Sequence, residues 1–377
     1  MSNYWRTFRT ILLGLLDRPM WMLLLFSILI SSTVYLRQGV WDLPVAIIDL
    51  DHSSFSRELT RRLDATPEIA TQSYNSLQEA RRDLALRRLF SIIIIPKDLQ
   101  NKILRGEAVT VPVYGDATSR LASGQIRQDV MLTYSELLDQ YNRQQLMRAG
   151  FDAQQAQVIV QPVQAELVDL FNPGTGFAAI VFPGLLIMLV QHTLLIASIR
   201  VIIAMHSLPA GRPPLSVYLG AVSGLLPIWF FLSVVLFVLW PWLLGYRQIA
   251  SMGQVLLLTL PFLIAVLGMG KFLTECLGRV ELVYLTVSFV TVPVMYLSGT
   301  MWPLQSMPDW VRAVAYMLPS TWATKMIAGV NQMGISLAEI QFDVLMLLAL
   351  GLFYTVLGVL IEQGRHWWQK RAKVKSS

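Results

Sequence analysis

With 377 residues, of which 54% are hydrophobic and 14% charged, and a mean hydropathy of +0.53, the chain lies outside the range of ordinary soluble domains. The net charge of +6 calls for no nucleic-acid partner, because much of the basic excess follows a membrane-anchoring pattern. A single cysteine, Cys276, leaves no disulfide to be made within the chain.

Residues 1–19 open the chain. Over Asn3–Leu16, Trp5, Phe8, Leu12, Leu15 and Leu16 recur at helical spacing, with Arg6 and Arg9 between them. This predicts an amphipathic helix on the cytoplasmic membrane face, before Pro19 turns the chain inward. Residues 20–36 are read as a retained first transmembrane helix. The lead is long for a signal peptide, and Ser31–Leu36 lacks a small-residue cleavage site.

Five further apolar stretches follow: Phe177–Ser198, Leu215–Leu244, Val255–Leu273, Val280–Leu297 and Val344–Ile361. Each is near or above the roughly 17–25 residues that cross the hydrocarbon core as a helix. The expected fold class is therefore a membrane α-helical protein with six transmembrane helices, carrying an inserted α/β extracytoplasmic domain. Leu215–Leu244 is longer than a span requires, which predicts tilt or a kink at Pro227.

On one side, six spans place Arg6, Arg9, Arg18, Arg200, Arg212, Lys271, Arg279, Arg365, Lys370, Arg371, Lys373 and Lys375. On the other they place Arg37, Arg247, Arg312 and Lys325. The positive-inside rule then puts both termini in the cytoplasm and the large polar segment outside. The tail, 365–377, with Trp367 and Trp368, reads as an interfacial anchor.

The segment 38–176 alternates strand and helix signals. Leu43–Asp49, Phe90–Pro96 and Val109–Tyr114 read as strands, and Phe55–Leu63, Ser76–Leu89, Lys97–Arg105 and Gln125–Gly150 as helices, with another from Asp152. Ser76 with Glu79 suggests a capping box. A small α/β domain with a parallel-type sheet and helical arms is expected.

Catalytic motifs are lacking. Gly268-Met269-Gly270-Lys271-Phe272 misses the first glycine and the final hydroxyl of a phosphate loop, and it lies in an apolar span. His52, His192, His206 and His366 have no metal-ligand spacing. No nucleophile–base pair is evident. The expectation is a non-enzyme that binds no cofactor or metal, any driving energy coming from elsewhere.

Leu43–Asp51, Ile92–Leu99 and Tyr114–Thr118 resemble the external domain of bacterial permeases of the ABC type-2 transporter family. Phe171-Asn172-Pro173 ahead of Val181–Gly184 is similar to that family's entry into its second helix. Leu297-Ser298-Gly299, Pro303, Met307-Pro308, Trp310 and Leu318-Pro319 resemble its external hairpin, here 300–335 within the helical body 177–364. The likeness runs in order along nearly the whole chain. It implies an exporter membrane subunit of the bacterial inner membrane, with the polar domain in the periplasm. Its implied partners are a cytoplasmic ABC ATPase that uses ATP, a second permease (the same or a paralogous chain) and a periplasmic adaptor. Outward movement of substrate by alternating access is implied as well.

The resemblance has one departure. The family's cytoplasmic loop after its second helix carries a Glu-x-Gly-Thr-x-Glu-like segment that docks on the ATPase. The corresponding Ser198–Pro209 has no acidic residue. Two readings stand: a divergent coupling loop that docks through Met205, His206, Leu208 and Arg212, or a degenerate half of a heterodimer whose partner does most of the coupling.

Gln191, His192 and Thr193 fall mid-membrane, as an interhelical hydrogen bond or as part of a transport pathway. Lys271, Glu275, Arg279 and Glu281 surround a cytoplasmic turn. There Lys271 and Glu275 can pair at i,i+4, and the group serves capping and anchoring or contacts the ATPase. Trp302, Trp310 and Trp322 suggest an outer aromatic belt, with substrate stacking as the alternative. A different class of function, a membrane sensor or assembly scaffold using the external domain as a binding module, is disfavoured by the number of later spans.

Overall fold

The computed structural model describes residues 3–16, 26–30, 32–33, 41–162, 177–206, 214–245 and 248–376. The chain divides into two compact units: Gly39–Val168, and Met1–Gln38 together with Asp169–Ser377.

In the first of these units, β1 (Leu43–Asp49), α2 (Ser54–Asp64), β2 (Ile69–Ser73), α3 (Leu77–Ala85), β3 (Ser91–Ile95), α4 (Leu99–Leu104) and β4 (Val113–Gly115) precede two further helices, α5 (Arg120–Arg148) and α6 (Ala153–Val160). The strands lie in the order β2-β1-β3-β4. β1 runs parallel to both neighbours, with Val45 opposite Thr71 on one side and Ser91 on the other, whereas β3 and β4 are antiparallel.

Alternate residues divide the core. Leu43, Val45, Ile47, Ile93 and Ile95 face Phe55, Leu59 and Leu63 of α2 and Ile126 and Val130 of α5. Ala46, Ile48 and Ile92 meet Ala80 and Leu89 on the other face. A strand covered on both faces is continuously apolar, which is why β1 and β3 stand out in the sequence.

The sheet corrects the sequence reading in several respects. It is mixed rather than purely parallel in type, and β2 was not anticipated. Only Ile69 is buried in Ile-Ala-Thr-Gln-Ser, so this edge strand carries no alternation signal. β4 starts at Val113 rather than Val109, after Pro112, whose carbonyl still accepts from Ile94 N. The Ser76 hydroxyl accepts from Gln78 N and forms no capping box with Glu79. A complete capping box forms at Asp152 and Gln155 instead. The long helix begins at Arg120, five residues earlier than the sequence suggests.

In the second unit, α1 (Asn3–Leu16) precedes α7 (Phe177–His206), α8 (Leu215–Ser223), α9 (Leu226–Val234), a π turn (Val235–Leu239) and α10 (Trp240–Leu243). Then come α11 (Met252–Leu277), α12 (Val280–Leu297), α13 (Asp309–Tyr316), α14 (Pro319–Met333) and α15 (Gln341–Ser376). Among the described residues, four helical stretches are long and apolar enough to cross a membrane: Val181–His206, Leu215–Leu243, Met252–Leu277 and Gln341–Arg365. Glu281–Leu297 is apolar but shorter. The expected first span, Met20–Leu36, lies largely outside the described residues.

Leu215–Leu243 is segmented. The α-helix breaks at Gly224 and Leu225, and Pro227 enters at the start of α9, where its missing N–H is tolerated. The π turn frees a carbonyl, that of Phe237, which accepts from the Gln248 side chain at 2.8 Å. α1 is helical as expected and lies against α8. A Cβ on Gly220 would stand 2.6 Å from the Tyr4 carbonyl, and one on Gly224 3.1 Å from Ile11 Cγ2, so this Gly-x-x-x-Gly stripe admits α1 to backbone distance. Trp322, expected in an aromatic belt, is buried between Tyr316 and Phe342 and donates from Nε1 to the Tyr316 carbonyl at 2.8 Å. Trp302 and Trp310 are exposed.

One buried carboxyl in the α/β unit has no cation paired with it among the described residues. Asp129 on α5 accepts there only from Gln125 Nε2, at 3.2 Å. Burial pushes its pKa up to about 6, and the nearby Glu68 adds to the shift. The folded chain therefore holds this proton more tightly than the unfolded chain, so the stability it contributes is full below 3.8 and is lost as pH rises through about 6. Asp129→Asn should stabilise the α/β unit at pH 8 by on the order of 1 kcal/mol or more and change little at about pH 4. Thermal unfolding of the full chain at the two pH values checks this.

Candidate functional site

α11 occupies the middle of the helical unit because its glycines let two neighbours approach. A Cβ on Gly268 would fall 2.3 Å from the Gly351 carbonyl of α15, and one on Gly270 2.5 Å from Ser198 Oγ of α7. The glycines that superficially suggested a phosphate loop are thus close-packing positions facing two different helices. One residue on, the Lys271 stem runs along Gly358 of α15, whose Cβ would lie 2.7 Å from Lys271 Cγ.

This close approach brings charged groups of α11 and α15 together with the His206 imidazole of α7. Lys271 Nζ lies 2.7 Å from Glu275 Oε1 and 2.9 Å from Glu362 Oε2. His206 Nε2 is 2.9 Å from Glu275 Oε1 and 3.8 Å from Glu362 Oε1. Arg365 Nη1 reaches Glu275 Oε2 at 3.3 Å and donates to the Glu275 backbone carbonyl at 2.9 Å. The Glu275 side chain is only 2% exposed. A carboxylate so enclosed stays ionised only with its oxygens occupied by donors, and here cations from α11 itself and α15, together with the His206 imidazole, occupy them.

Glu362 comes one helical turn after Gly358, and Arg365 lies three residues further. α15 thus presents its small residue and both charges on one stripe. Gly278 closes α11 in the left-handed region at φ 65, and Arg365 Nη2 passes 2.5 Å from where its Cβ would be.

His206, Glu275 and Glu362 each offer a ligand atom within 4.8 Å of the others, a donor set that suits a divalent cation. Lys271, however, already supplies the positive charge between the carboxylates, and a metal ion would have to displace its ammonium. The cluster is an ion-pair junction where the last turns of α7 and α11 meet the body of α15.

Of the expected site residues, His206, Lys271 and Glu275, drawn from two separate sequence groups, meet. Met205 lies in the last turn of α7 and is partly buried against the core. Ser198–Met205 is not a loop: Ile199–Ala204, apolar apart from Arg200, contains no glycine or proline, and α7 continues through His206. Leu208 and Arg212 lie outside the described residues. Arg279 and Glu281 are exposed in the turn and make no ion pair among the described residues.

Deeper in α7, His192 Nδ1 is 2.9 Å from Thr291 Oγ1 of α12, and Thr193 Oγ1 donates to the Leu189 carbonyl at 2.8 Å. Gln191 is buried, and its Oε1 has no hydrogen-bond partner among the described residues. Glu362 was missed by sequence reasoning and Arg365 was assigned to the tail anchor. The Gly351, Gly358, Glu362, Arg365 spacing was the signal that could have linked them.

Comparison with known proteins places this arrangement. The profile described as ABC-2 family transporter protein matches residues 9–360, nearly the whole chain. The chain belongs to the ABC-2 transporter family. It is also similar to ABC transporter G family member 20 of Dictyostelium discoideum, 22% identical over 333 residues that cover 85% of this chain and 44% of that relative. It therefore spans less than half of that relative's length. As an ABC-2 permease it is a multi-pass membrane protein and a transport subunit, in a class of transporter that relies on an ATPase.

Lys271→Met should remove the cation between Glu275 and Glu362, leaving Arg365 on Glu275 alone, and destabilise this ABC-2 chain by about 3 kcal/mol or more. Adding Glu362→Gln should recover part of that loss. Thermal unfolding of the single and double variants in detergent measures the coupling; strictly additive losses would mean that the two residues do not interact.

Proposed function

We propose that this chain is the membrane permease of an ATP-driven exporter. Six transmembrane helices would carry the α/β unit outside the cytoplasmic membrane of a bacterium, with both termini inside. A separate cytoplasmic ATPase supplies the energy, and a second permease, the same or a paralogous chain, completes the pathway. The α/β unit then gates the exit or meets a periplasmic adaptor.

The observation that carries this reading is the ion-pair junction. His206 is the last described residue of α7 and falls within Ser198–Pro209, the stretch that the family resemblance sets against the ATPase-docking segment. Its imidazole contacts Glu275 of α11 and lies beside Glu362 of α15. A displacement of that segment would reach three helices through short polar contacts rather than through a flexible linker. Because both carboxylates must keep their donors, the three helices are expected to move together or exchange partners as a set. A segment without acidic residues, coupled in this way, fits the less conventional half of a heterodimer as well as it fits a homodimer.

Replacing residues 206–212 with Gly and Ser should abolish stimulation of the co-purified ATPase by this subunit while the complex stays assembled. Unchanged stimulation would exclude the docking role. Gln191, His192 and Thr193 are proposed to border the transport pathway. His192→Ala should then lower transport several-fold with assembly and ATP hydrolysis preserved, whereas full transport would leave the Thr291 contact a packing device only. Mass spectrometry of the complex from native membranes, showing one permease or two, decides between the homodimer and the heterodimer.

A further inference from the structure

The α/β unit contains a ligand-sized cleft of about 290 Å³. It runs between α2, which gives Ser54, Phe55, Glu58 and Arg62, and α5, which gives Leu137, Gln140, Tyr141 and Gln144, with Gln100 of α4 at one end.

Its lining has a definite chemistry. The Asp51 carboxylate accepts from Leu99 N at 2.9 Å and Gln100 N at 3.2 Å, so the start of α4, where an anion would dock, is already filled by the chain's own carboxylate. Asp49 is likewise engaged, accepting from Asp51 N, His52 N and Ser56 Oγ. Glu58 is paired with Arg61 and Arg62. The remaining groups are neutral and incompletely used.

Gln100 Oε1 accepts from Ser54 Oγ at 3.1 Å and Phe55 N at 3.3 Å, while its amide nitrogen has no partner among the described residues. Gln140 Oε1 accepts from Arg62 Nη2, and its nitrogen is likewise unspent. The Gln144 side chain, on the same wall, makes no hydrogen bond among the described residues. Beneath them the Tyr141 hydroxyl is shut off from solvent with no partner among the described residues. Buried polar atoms are seldom left unsatisfied. The Tyr141 ring stands edge-on to Phe55, with centroids 6.0 Å apart, giving the cleft one aromatic face.

We propose that this cleft binds a neutral, polyhydroxylated ligand of monosaccharide size. Several unspent amide groups beside the Tyr141 ring suit a molecule with hydroxyls around its rim and an apolar ring face. Arg62, the one cation among the lining residues, is taken up by Glu58 and Gln140, and Asp51 fills the start of α4, so the cleft offers no free positive charge to a phosphorylated or acidic ligand.

The test uses the full chain in lipid nanodiscs free of glycoside detergent, with saturation-transfer NMR against glucose, N-acetylglucosamine and glucose 6-phosphate. The neutral sugars should bind in the millimolar range and the phosphate several-fold more weakly. Gln144→Leu and Gln140→Leu should each weaken binding of the neutral sugars about tenfold. The unliganded unfolding midpoint should stay unchanged for Gln144→Leu, whose side chain makes no hydrogen bond among the described residues. Maltotriose, binding equally or more tightly, tells a free sugar from a chain end. Absence of neutral-sugar binding, a preference for the phosphate, or unaltered binding by Gln144→Leu would each overturn the assignment.

Discussion

Where Gly268 meets the Gly351 carbonyl and Gly270 meets Ser198, α11 approaches α15 and α7 at distances that no Cβ could occupy. That approach sets the surroundings of the next turn of the helix. Lys271 and Glu275 emerge between two neighbours that are already close, and a carboxylate with 2% of its side chain exposed finds its donors within reach. Had larger residues held these helices a few ångströms further apart, Glu275 would keep only Lys271 of its own helix and lose the donors from α7 and α15. The contacts between helices depend on the glycines; the glycines do not depend on those contacts.

The two units solve the burial problem in different ways. In the α/β unit, period-two alternation along β1 and β3 sends Val45 and Ile47 to one layer and Ala46 and Ile48 to the other, so hydrophobic side chains fill the space between sheet and helices. In the membrane-crossing helices of the other unit most residues are apolar, and apolarity alone selects no partner. Small residues and a few polar contacts, such as His192 with Thr291 and Lys325 with Asp343, fix which helix faces which.

This difference explains how much of the molecule was legible. β1 and β3 could be read because burial on both faces makes them uninterrupted hydrophobic runs. β2 could not, since an edge strand with one buried residue looks like a turn. Apolar segments were recognisable by length, but their ends were not: α7 continues to His206 because no residue stops it, and α15 runs through Ser376. Lys271 and Glu275 were visible as an i,i+4 pair, whereas their link to His206, Glu362 and Arg365 depends on helices far apart in sequence. Trp322 was misplaced because tryptophan suits both a membrane interface and an aromatic core, and only its neighbours Tyr316 and Phe342 distinguish the two.

Gly278 ties a turn to this junction. Left-handed positions at helix ends are usually shared between glycine and asparagine. Here the room that a side chain would need is taken by the Arg365 guanidinium, so asparagine, acceptable to the backbone, would still push aside a donor to Glu275. Two unrelated demands, one conformational and one electrostatic, converge on a single hydrogen atom, so a side chain at this turn would have to move the Arg365 guanidinium away from its place on Glu275.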